Sequence, residues 1–399
     1  MEKSNRSNLI LAGLFLFHLS VLFYLTSTFS ISYKEALIYF DQNSVVGLLA
    51  NISTYIFGQN DYALRVPSII LYFLSAIVLY LLTDDYFKKQ SDRVITVAIF
   101  MMLPGVNSAA LLVNESILVI FLTLLYLYLY KLKSKENYIL LSLFLFIDNS
   151  FAILFLALFF MALKKKDNLL LVYSLSLFGI SMSIYGFDIG GHPRGYFLDT
   201  FAIYASIFSP VLFFYFFYSI YRVGLKYEKD MFWYLSVTAL ALSLIFSLRQ
   251  KVDLQDFAPF VVVALPIMVK LFMKSIRIRL KEFRFKYYAV AFAALVVLGF
   301  NFLFFIFNKT IYMVLENPRK HFAYNHHIAK ELSEKLKSLG ITQIDASDKK
   351  LQKRLKFYNI ANGTKYRLSR FRINDQSKKI SIKYHNTTVA KYYIVPIKI

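Results

Sequence analysis

The chain has 399 residues, of which 58% are hydrophobic and 18% charged, and its 46 Lys and Arg against 24 Asp and Glu give a net charge of +22. Soluble domains are about 45–50% apolar and roughly 25% charged, so most of this chain requires a bilayer, which is crossed by apolar runs of about 20 residues. Because the sequence contains no cysteine, disulfide frameworks, thiolate catalysis and thiolate metal sites are excluded.

Apolar runs recur along residues 1–308. The first run, 9–30, follows Lys3 and Arg6 and is too long for a signal-peptide core, which predicts a retained anchor with a cytoplasmic N-terminus. The run at 138–163 is interrupted at 147–150 and flanked by lysines, which predicts two short helices meeting at a polar apex. Further runs lie near 66–83, 94–112, 116–131, 169–187, 201–221, 231–248, 258–273 and 287–308. The sequence thus predicts an α-helical polytopic membrane protein with about 11 transmembrane helices.

The distribution of Lys and Arg predicts the orientation of these helices. The predicted cytoplasmic segments carry 20 such cations, and the loops on the other side carry five: Lys34, Arg65, Arg194, Arg249 and Lys251. This asymmetry is the one that the positive-inside rule predicts. Since the cytoplasmic cations occur in short groups at span ends, nucleic acid is not expected as a partner. The short loops favour a plasma (inner) membrane of bacterial type.

Residues 309–399 are predicted to form a small extracytoplasmic α/β domain, separate from a transmembrane domain at 1–308. Ile328, Leu332 and Leu336 share one helical face ahead of Gly340, which predicts a helix over 326–339. A strand at 341–346, a helix at 348–358 and strands at 380–384 and 389–397 follow. The region carries a net charge of +14, which predicts contact with anionic headgroups or a phosphorylated acceptor; simple solubility is the alternative.

Ionisable residues at the mouth of a membrane bundle are costly and therefore mark functional candidates. In the first outer loop, 31–65, Glu35 precedes Tyr39 by one helical turn, and a partly desolvated carboxylate there is a candidate general base. A solvated loop acid is the alternative. Glu115, at the outer end of a span, is either functional or a carboxylate favoured by the helix dipole. Asp148, at the polar apex, is either a supporting acid or a helix cap.

Two further features complete the predicted site. Arg249 and Lys251 share a short loop with Asp256, and two cations at a bilayer mouth suit a lipid-linked phosphate, with interfacial snorkelling as the alternative. In the first outer loop, Val45, Leu49, Ile52 and Ile56 recur at helical spacing, which predicts a helix that lies on the membrane surface and roofs a cavity. The histidines show no metal-binding spacing.

Taken in order, these features resemble the GT-C superfamily of polytopic glycosyltransferases, in particular the branch with the lipid A aminoarabinose transferases and the protein O-mannosyltransferases. Lys34 stands where the family usually has the first acid of a pair, and Glu115 where aspartate is common. The resemblance rests on Tyr33-Lys34-Glu35-Ala36-Leu37-Ile38-Tyr39, on Ala63-Leu64-Arg65-Val66-Pro67-Ser68, on Asn114-Glu115-Ser116-Ile117-Leu118, and on Ser247 to Lys251 leading into Asp256-Phe257-Ala258-Pro259.

The resemblance implies an enzyme that moves a sugar from a polyprenyl-phosphate-linked donor to a glycolipid, polysaccharide or protein acceptor on the extracytoplasmic face, among membrane lipids. It implies that Glu35 is the base, and that Arg65 acts with Arg249 and Lys251 on the leaving phosphate. Glu115 would support the acceptor or a divalent metal, whose participation stays open. A catalytically inactive GT-C-like scaffold, suggested by Lys34, and a lipid or sugar transporter (flippase) are the alternatives.

Overall fold

The computed structural model describes residues 2–41, 44–186, 195–374, 377–385 and 387–397. Arg194, one of the five predicted outer cations, lies outside these ranges. The described residues are mostly helical, with one four-stranded sheet near the C-terminus. They divide into two compact units. The first comprises 1–18, 70–110 and 115–302, and the second comprises 19–69, 111–114 and 303–399.

The helices of the described chain account for nearly all of the predicted apolar runs. In chain order they are α1 (Glu2–Thr28), α2 (Tyr33–Phe40), α3 (Val45–Phe57), α4 (Asp61–Leu82), α5 (Gln90–Met102), α6 (Pro104–Leu111), α7 (Ser116–Lys133), α8 (Tyr138–Phe144), α9 (Phe151–Lys165), α10 (Asn168–Tyr185), α11 (Phe197–Phe208), α12 (Pro210–Lys226), α13 (Met231–Ser247), α14 (Leu254–Val262), α15 (Leu265–Ile278), α16 (Phe285–Ile306), α17 (Ala329–Ser338) and α18 (Lys349–Phe357). Short 3-10 turns join several of them.

By length and composition, six spans within the described residues can cross a bilayer. They are Arg6–Thr28, Asp61–Leu82, Ser116–Lys133, Asn168–Tyr185, Leu254–Ile278 and Lys281–Ile306. Up to eight result if two bent pairs, α5 with α6 (61°) and α11 with α12 (104°), each form one span. The chain is therefore a polytopic membrane protein, as the sequence predicts, while the count of about 11 stays a prediction.

In the first unit, α9 lies between α10 and α13, and α13 packs on α14. The predicted interruption of 138–163 is confirmed, because α8 ends at Phe144 and α9 begins at Phe151. The rings of these two phenylalanines stack with centroids 4.4 Å apart. Polar side chains bond to backbone carbonyls of their own helix, as Ser236 does to Phe232 at 2.7 Å, which satisfies hydroxyls that have no water partner inside a bilayer.

In the second unit, α2 and α3 lie in the 31–65 segment, where the sequence predicts a helix. Ser44 begins α3 by accepting the amide of Gly47 at 3.0 Å. This helix buries small or polar side chains and exposes large apolar ones, among them Leu48, Ile56 and Phe57. A helix with its large apolar face outward suits lipid contact. The predicted helix is confirmed, and its position on the membrane surface stays a prediction.

The C-terminal elements of the second unit pack around a shared apolar core that includes Ile328, Leu332 and Leu336, as the sequence predicts. The strands are β1 (Asp345–Ala346), β2 (Tyr366–Ser369), β3 (Lys378–Tyr384) and β4 (Thr387–Pro396), in the order β1-β2-β4-β3. β1 pairs with β2 in parallel, and the other pairs are antiparallel. The predicted elements α17, α18, β3 and β4 are confirmed, whereas β2 was not predicted. The strand predicted at 341–346 is limited to β1, because Gln343 forms only an isolated bridge with Ala361. The domain boundary at 308 stays a prediction.

Candidate functional site

Glu35 is held at the start of α2 by a reciprocal cap. The Ser32 hydroxyl accepts the amide of Glu35 at 3.2 Å, and the Glu35 carboxylate accepts the amide of Ser32 at 2.7 Å. This capping box satisfies two amides that a helix start leaves without partners. It also turns the Glu35 side chain inward, so the carboxylate is buried at 2% exposure.

Three further groups surround the Glu35 carboxylate. Its Oε1 accepts the amide of Val113 at 3.2 Å and lies 3.4 Å from Nη2 of Arg65. Its Oε2 lies 3.4 Å from Nδ1 of His326. Burial alone would raise the pKa of Glu35, but the Arg65 charge, His326 and the Ser32 amide together lower the pKa to about 2. Glu35 is therefore an ionised and weakly basic group at neutral pH.

Arg65 is fully buried on the first turns of α4 and acts as the centre of this group. Its guanidinium donates to the carbonyls of Phe29 and Ser30 at 3.2 and 3.3 Å, and to Glu35. Its Nη1 lies 3.5 Å from Asp61, one helical turn earlier. The fork geometry of a guanidinium allows one side chain to hold two carboxylates and two backbone carbonyls together.

Asp61 connects Arg65 to residues of the C-terminal elements. Its carboxylate accepts the Tyr358 hydroxyl at 2.7 Å and forms an ion pair with Lys330 at 3.1 Å. Burial and the Asp61 charge raise the pKa of Tyr358, so the phenol stays protonated as a donor. The same hydroxyl accepts the amide of Ile31 at 2.9 Å. We call Glu35, Asp61, Arg65, Lys330 and Tyr358 the buried ionic cluster.

A second buried arginine fixes the turn that precedes Glu35. Arg354, on α18, donates to the carbonyl of Ile31 at 2.8 Å and to the Ser30 hydroxyl at 3.3 Å. The amide of Ser30 in turn donates to the carbonyl of His326 at 2.6 Å. Residues 27–32 are thus bonded on several sides, and the position of α2 depends on the C-terminal elements.

Tyr39 does not share the partners of Glu35, although the two residues lie one turn apart. Its hydroxyl bonds with Thr54 of α3 at 2.9 Å, and its ring packs edge-on against Phe357. The carbonyl of Tyr39 accepts the Asn51 side chain at 3.1 Å. Tyr39 therefore joins α2 to α3.

In the first unit, Arg249, Lys251 and Asp256 line one cavity of about 500 Å³. Asn149 and Ser150, from the interrupted helix pair, also border it. The remaining wall is largely apolar, with Phe178, Leu242 and Phe257 among its side chains. Cations beside an apolar wall suit a ligand with a phosphate and a hydrocarbon chain. The predicted grouping of the two cations with Asp256 agrees with this cavity, and their function stays a prediction.

Glu115 occupies the helix-start position of its structural alternative, whereas the N-cap of α9 is Ser150 and not Asp148. Asp148 accepts the amide of Ser150 at 2.9 Å and its hydroxyl at 2.5 Å, and so organises the turn before α9. Glu115 is half-buried at the N-cap of α7, where the helix dipole favours a carboxylate. Their predicted catalytic and supporting roles stay predictions.

Metal ligation was left open by the sequence. Within the part of the chain that the structure describes, no group of three or more His, Asp or Glu side chains is arranged to hold a metal ion. The nearest charged neighbour of Glu35 is the cation Arg65, which disfavours a second cation on that carboxylate. Glu115 remains the predicted residue for a metal, should the reaction use one.

Sequence reasoning assigned no role to four residues of this site: Asp61, Lys330, Arg354 and Tyr358. A signal for two of them was present, because Leu351, Arg354, Leu355 and Tyr358 recur at the spacing of one helical face. An arginine on an apolar face is rarely fully buried without partners, so Arg354 marks a buried polar contact. Asp61 precedes Arg65 by four positions, the spacing of neighbours on one helical face, whereas Lys330 shows no comparable signal.

The part of the chain at 41–155 matches the model of the dolichyl-phosphate-mannose-protein mannosyltransferase family. This match supports a membrane glycosyltransferase of the GT-C type. The matched stretch includes Asp61, Arg65, Glu115 and Asp148, and it begins after Glu35 and Tyr39. No curated protein matches the sequence significantly. Of the buried ionic cluster, Asp61 and Arg65 at the start of α4 therefore lie within the matched stretch.

Proposed function

We propose that the protein transfers a sugar from a polyprenyl-phosphate-linked donor to a glycolipid, polysaccharide or protein acceptor. The observation that carries this proposal is the cavity of about 500 Å³ that combines Arg249 and Lys251 with an apolar wall. A polyprenyl chain needs apolar surface, and its phosphate needs cations near headgroup depth. The match of 41–155 to a family of lipid-phosphate-sugar-dependent enzymes supports the same chemistry.

We also propose an orientation of the protein in the membrane. We take the N-terminus as cytoplasmic, with about 11 spans, so that 31–65 and the domain at 309–399 lie on the extracytoplasmic face of a plasma (inner) membrane. The asymmetry of 20 cations against five supports this topology. On that face the leaving phosphate meets Arg249 and Lys251, and the acceptor approaches the segment that carries Glu35.

Glu35 is the candidate general base, and its surroundings also favour a second role. A base works best with a pKa near the operating pH, whereas the Glu35 carboxylate has a pKa of about 2. A buried carboxylate that is ionised at neutral pH instead positions Arg65 and the turn at 27–32. Lys34, in place of the usual acid, favours the alternative of a catalytically inactive scaffold. Gene deletion and complementation with Glu35 variants distinguish such a scaffold from an active transferase.

The test is deletion of the gene, followed by mass analysis of surface glycolipids, polysaccharides and glycoproteins. Loss of one sugar unit, restored by the wild-type chain, is expected; an unchanged glycan profile would support the scaffold or transporter alternative.

The deletion strain is then complemented with Glu35→Gln and Glu35→Asp. A general base predicts a loss of about 10²–10⁴-fold for Glu35→Gln. Transfer at the native rate by this variant, in normally folded protein, would exclude Glu35 as the base.

A further inference from the structure

A separate small cavity, of about 210 Å³, lies in the second unit. Its lining is almost entirely polar. Three hydroxyl-bearing residues from the end of α1 and the next turn contribute, Ser27, Thr28 and Ser30, together with two lysines, two glutamates and His327. Ligand pockets are usually about 300–1,000 Å³ and mostly apolar, so this cavity suits one small, polar, ring-sized group.

His327 lines the cavity with a largely buried side chain. The residue is 1% exposed, and its Nδ1 bonds with the Tyr312 hydroxyl at 3.0 Å. Among the described residues, its other nitrogen, Nε2, has no hydrogen-bond partner. Burial, then the Lys309 charge, lower the pKa of His327 to about 2, so the ring is neutral. A neutral imidazole therefore adds no charge to the lining.

The charges around the cavity disfavour a free phosphate. Lys309 forms an ion pair with Glu331 at 3.4 Å, and Lys330 forms one with Asp61 at 3.1 Å. Glu334 adds a further carboxylate to the lining. Both ammonium groups therefore already have anionic partners, while carboxylate and hydroxyl oxygens are available to accept hydrogen bonds. A ligand whose groups both donate and accept fits this lining, and an acceptor-only dianion does not.

We propose that this cavity binds the hydroxyl groups of a single neutral sugar ring. Neighbouring hydroxyls on such a ring can donate to Glu331 and Glu334 and accept from Lys309, beside the His327 side chain that also lines the cavity. The inference rests on the proposed function only for the class of ligand, a sugar carried by the donor or the acceptor. Lys330 belongs to both this cavity and the buried ionic cluster, so a bound ring contacts the group that holds Glu35.

The experiment uses the full chain in lipid nanodiscs free of sugar-based detergent. Methyl glycosides of several hexoses are added at millimolar concentration, and saturation-transfer NMR records which ring protons contact the protein. Glu334→Ala removes one carboxylate at an exposed position and is expected to leave folding intact. Glu316→Ala is the matched control, because Glu316 is an exposed glutamate that does not line the cavity. Lys309→Met provides a second variant of the lining.

Saturation transfer to at least one glycoside is expected, falling several-fold in Glu334→Ala and Lys309→Met and unchanged in Glu316→Ala. Inorganic phosphate at equal concentration should not displace the glycoside; displacement would overturn the ligand class. Absence of transfer would identify a cavity that holds water only, and equal transfer in all variants would place glycoside binding elsewhere on the protein; either result would overturn this site. Glycoside binding by a chain that transfers no sugar would contradict the proposed function and leave this site standing. Sugar transfer without glycoside binding would contradict this site alone.

Discussion

Tyr358 donates a hydrogen bond to Asp61 at 2.7 Å, although 297 positions separate the two residues in the chain. The same phenol oxygen accepts the amide of Ile31 at 2.9 Å. One hydroxyl therefore connects α18, the first turn of α4 and the turn before α2. Because Asp61 also pairs with Arg65 and Lys330, this contact joins the C-terminal elements to the buried ionic cluster.

Tyr358→Phe should destabilise the protein by about 1–3 kcal/mol, because it removes one oxygen and leaves a buried amide and a buried carboxylate each short of a partner. The apparent Tm of the purified protein is the measurement. Tyr366→Phe is the control, since Tyr366 packs partly buried against the C-terminal core and its ring is kept. Equal Tm values for both variants would show that the Tyr358 bridge contributes nothing.

The Glu35 carboxylate predicts an acid-dependent loss of stability. Its pKa is lowered from 4.5 to about 2 in the folded chain, which corresponds to about 3 kcal/mol of stability at neutral pH. Because the folded-state pKa is the lower one, this contribution is complete above about pH 4.5 and is lost as the pH falls towards 2. Glu35→Gln lacks it at every pH.

The measurement is the difference in apparent Tm between wild type and Glu35→Gln from pH 7 to pH 3. The difference should be large at neutral pH and shrink below pH 4.5. Glu316→Gln, at an exposed position, controls for general effects of losing a carboxylate. A difference that stays constant across this range would contradict the lowered pKa of Glu35.

The packing of α2 on α3 predicts a strong effect at Gly47. A Cβ atom there would lie 2.7 Å from the carbonyl oxygen of Ile38 and 3.1 Å from the Ser44 hydroxyl. Gly47→Ala should therefore force the two helices apart and cost about 1–3 kcal/mol. Gly299→Ala, in α16, meets nothing within 4 Å and should leave the apparent Tm unchanged or slightly raised. A Gly47→Ala variant as stable as Gly299→Ala would contradict this packing.

Much of the architecture is readable from the sequence because its signals are local. Apolar runs and the spacing of Ile328, Leu332 and Leu336 predict their helices directly. The strand β2 was missed because Tyr366–Ser369 has four residues and only Leu368 is buried. Its strand character comes from pairing with β4, which no short window of sequence contains.

The candidate site could be predicted only in part, because some of its residues carry local signals and others depend on distant contacts. Glu35 and Arg65 were singled out from local motifs, and the structure brings them to 3.4 Å. Their burial, and the low pKa of Glu35, depend on His326 and on the C-terminal elements, which lie about 300 positions away. Contacts across such separations are not encoded in spacing, so the positioning role proposed for Glu35 could not be predicted from the sequence.

The two cations of the larger cavity should control affinity for the donor. Replacing both Arg249 and Lys251 with Gln removes about 2 kcal/mol of headgroup attraction, which corresponds to a KM for the lipid-phosphate donor raised roughly 30-fold, with kcat changed less. Higher salt should weaken donor use by the wild type in the same direction. Lys88→Gln, an exposed cation outside the cavity, is the control. An unchanged KM in the double variant would assign these residues to interfacial snorkelling.

The orientation is testable because the chain contains no cysteine, so every introduced thiol is unique and the parent chain gives the background. Lys337→Cys, exposed on α17, should react with a membrane-impermeant maleimide in intact cells. Lys88→Cys, exposed in a predicted cytoplasmic segment, should react only after permeabilisation. Since both residues are exposed lysines, a difference in labelling reports sidedness rather than burial. The reverse pattern would place the C-terminal elements in the cytoplasm, away from the face where a polyprenyl-linked sugar is proposed to be used.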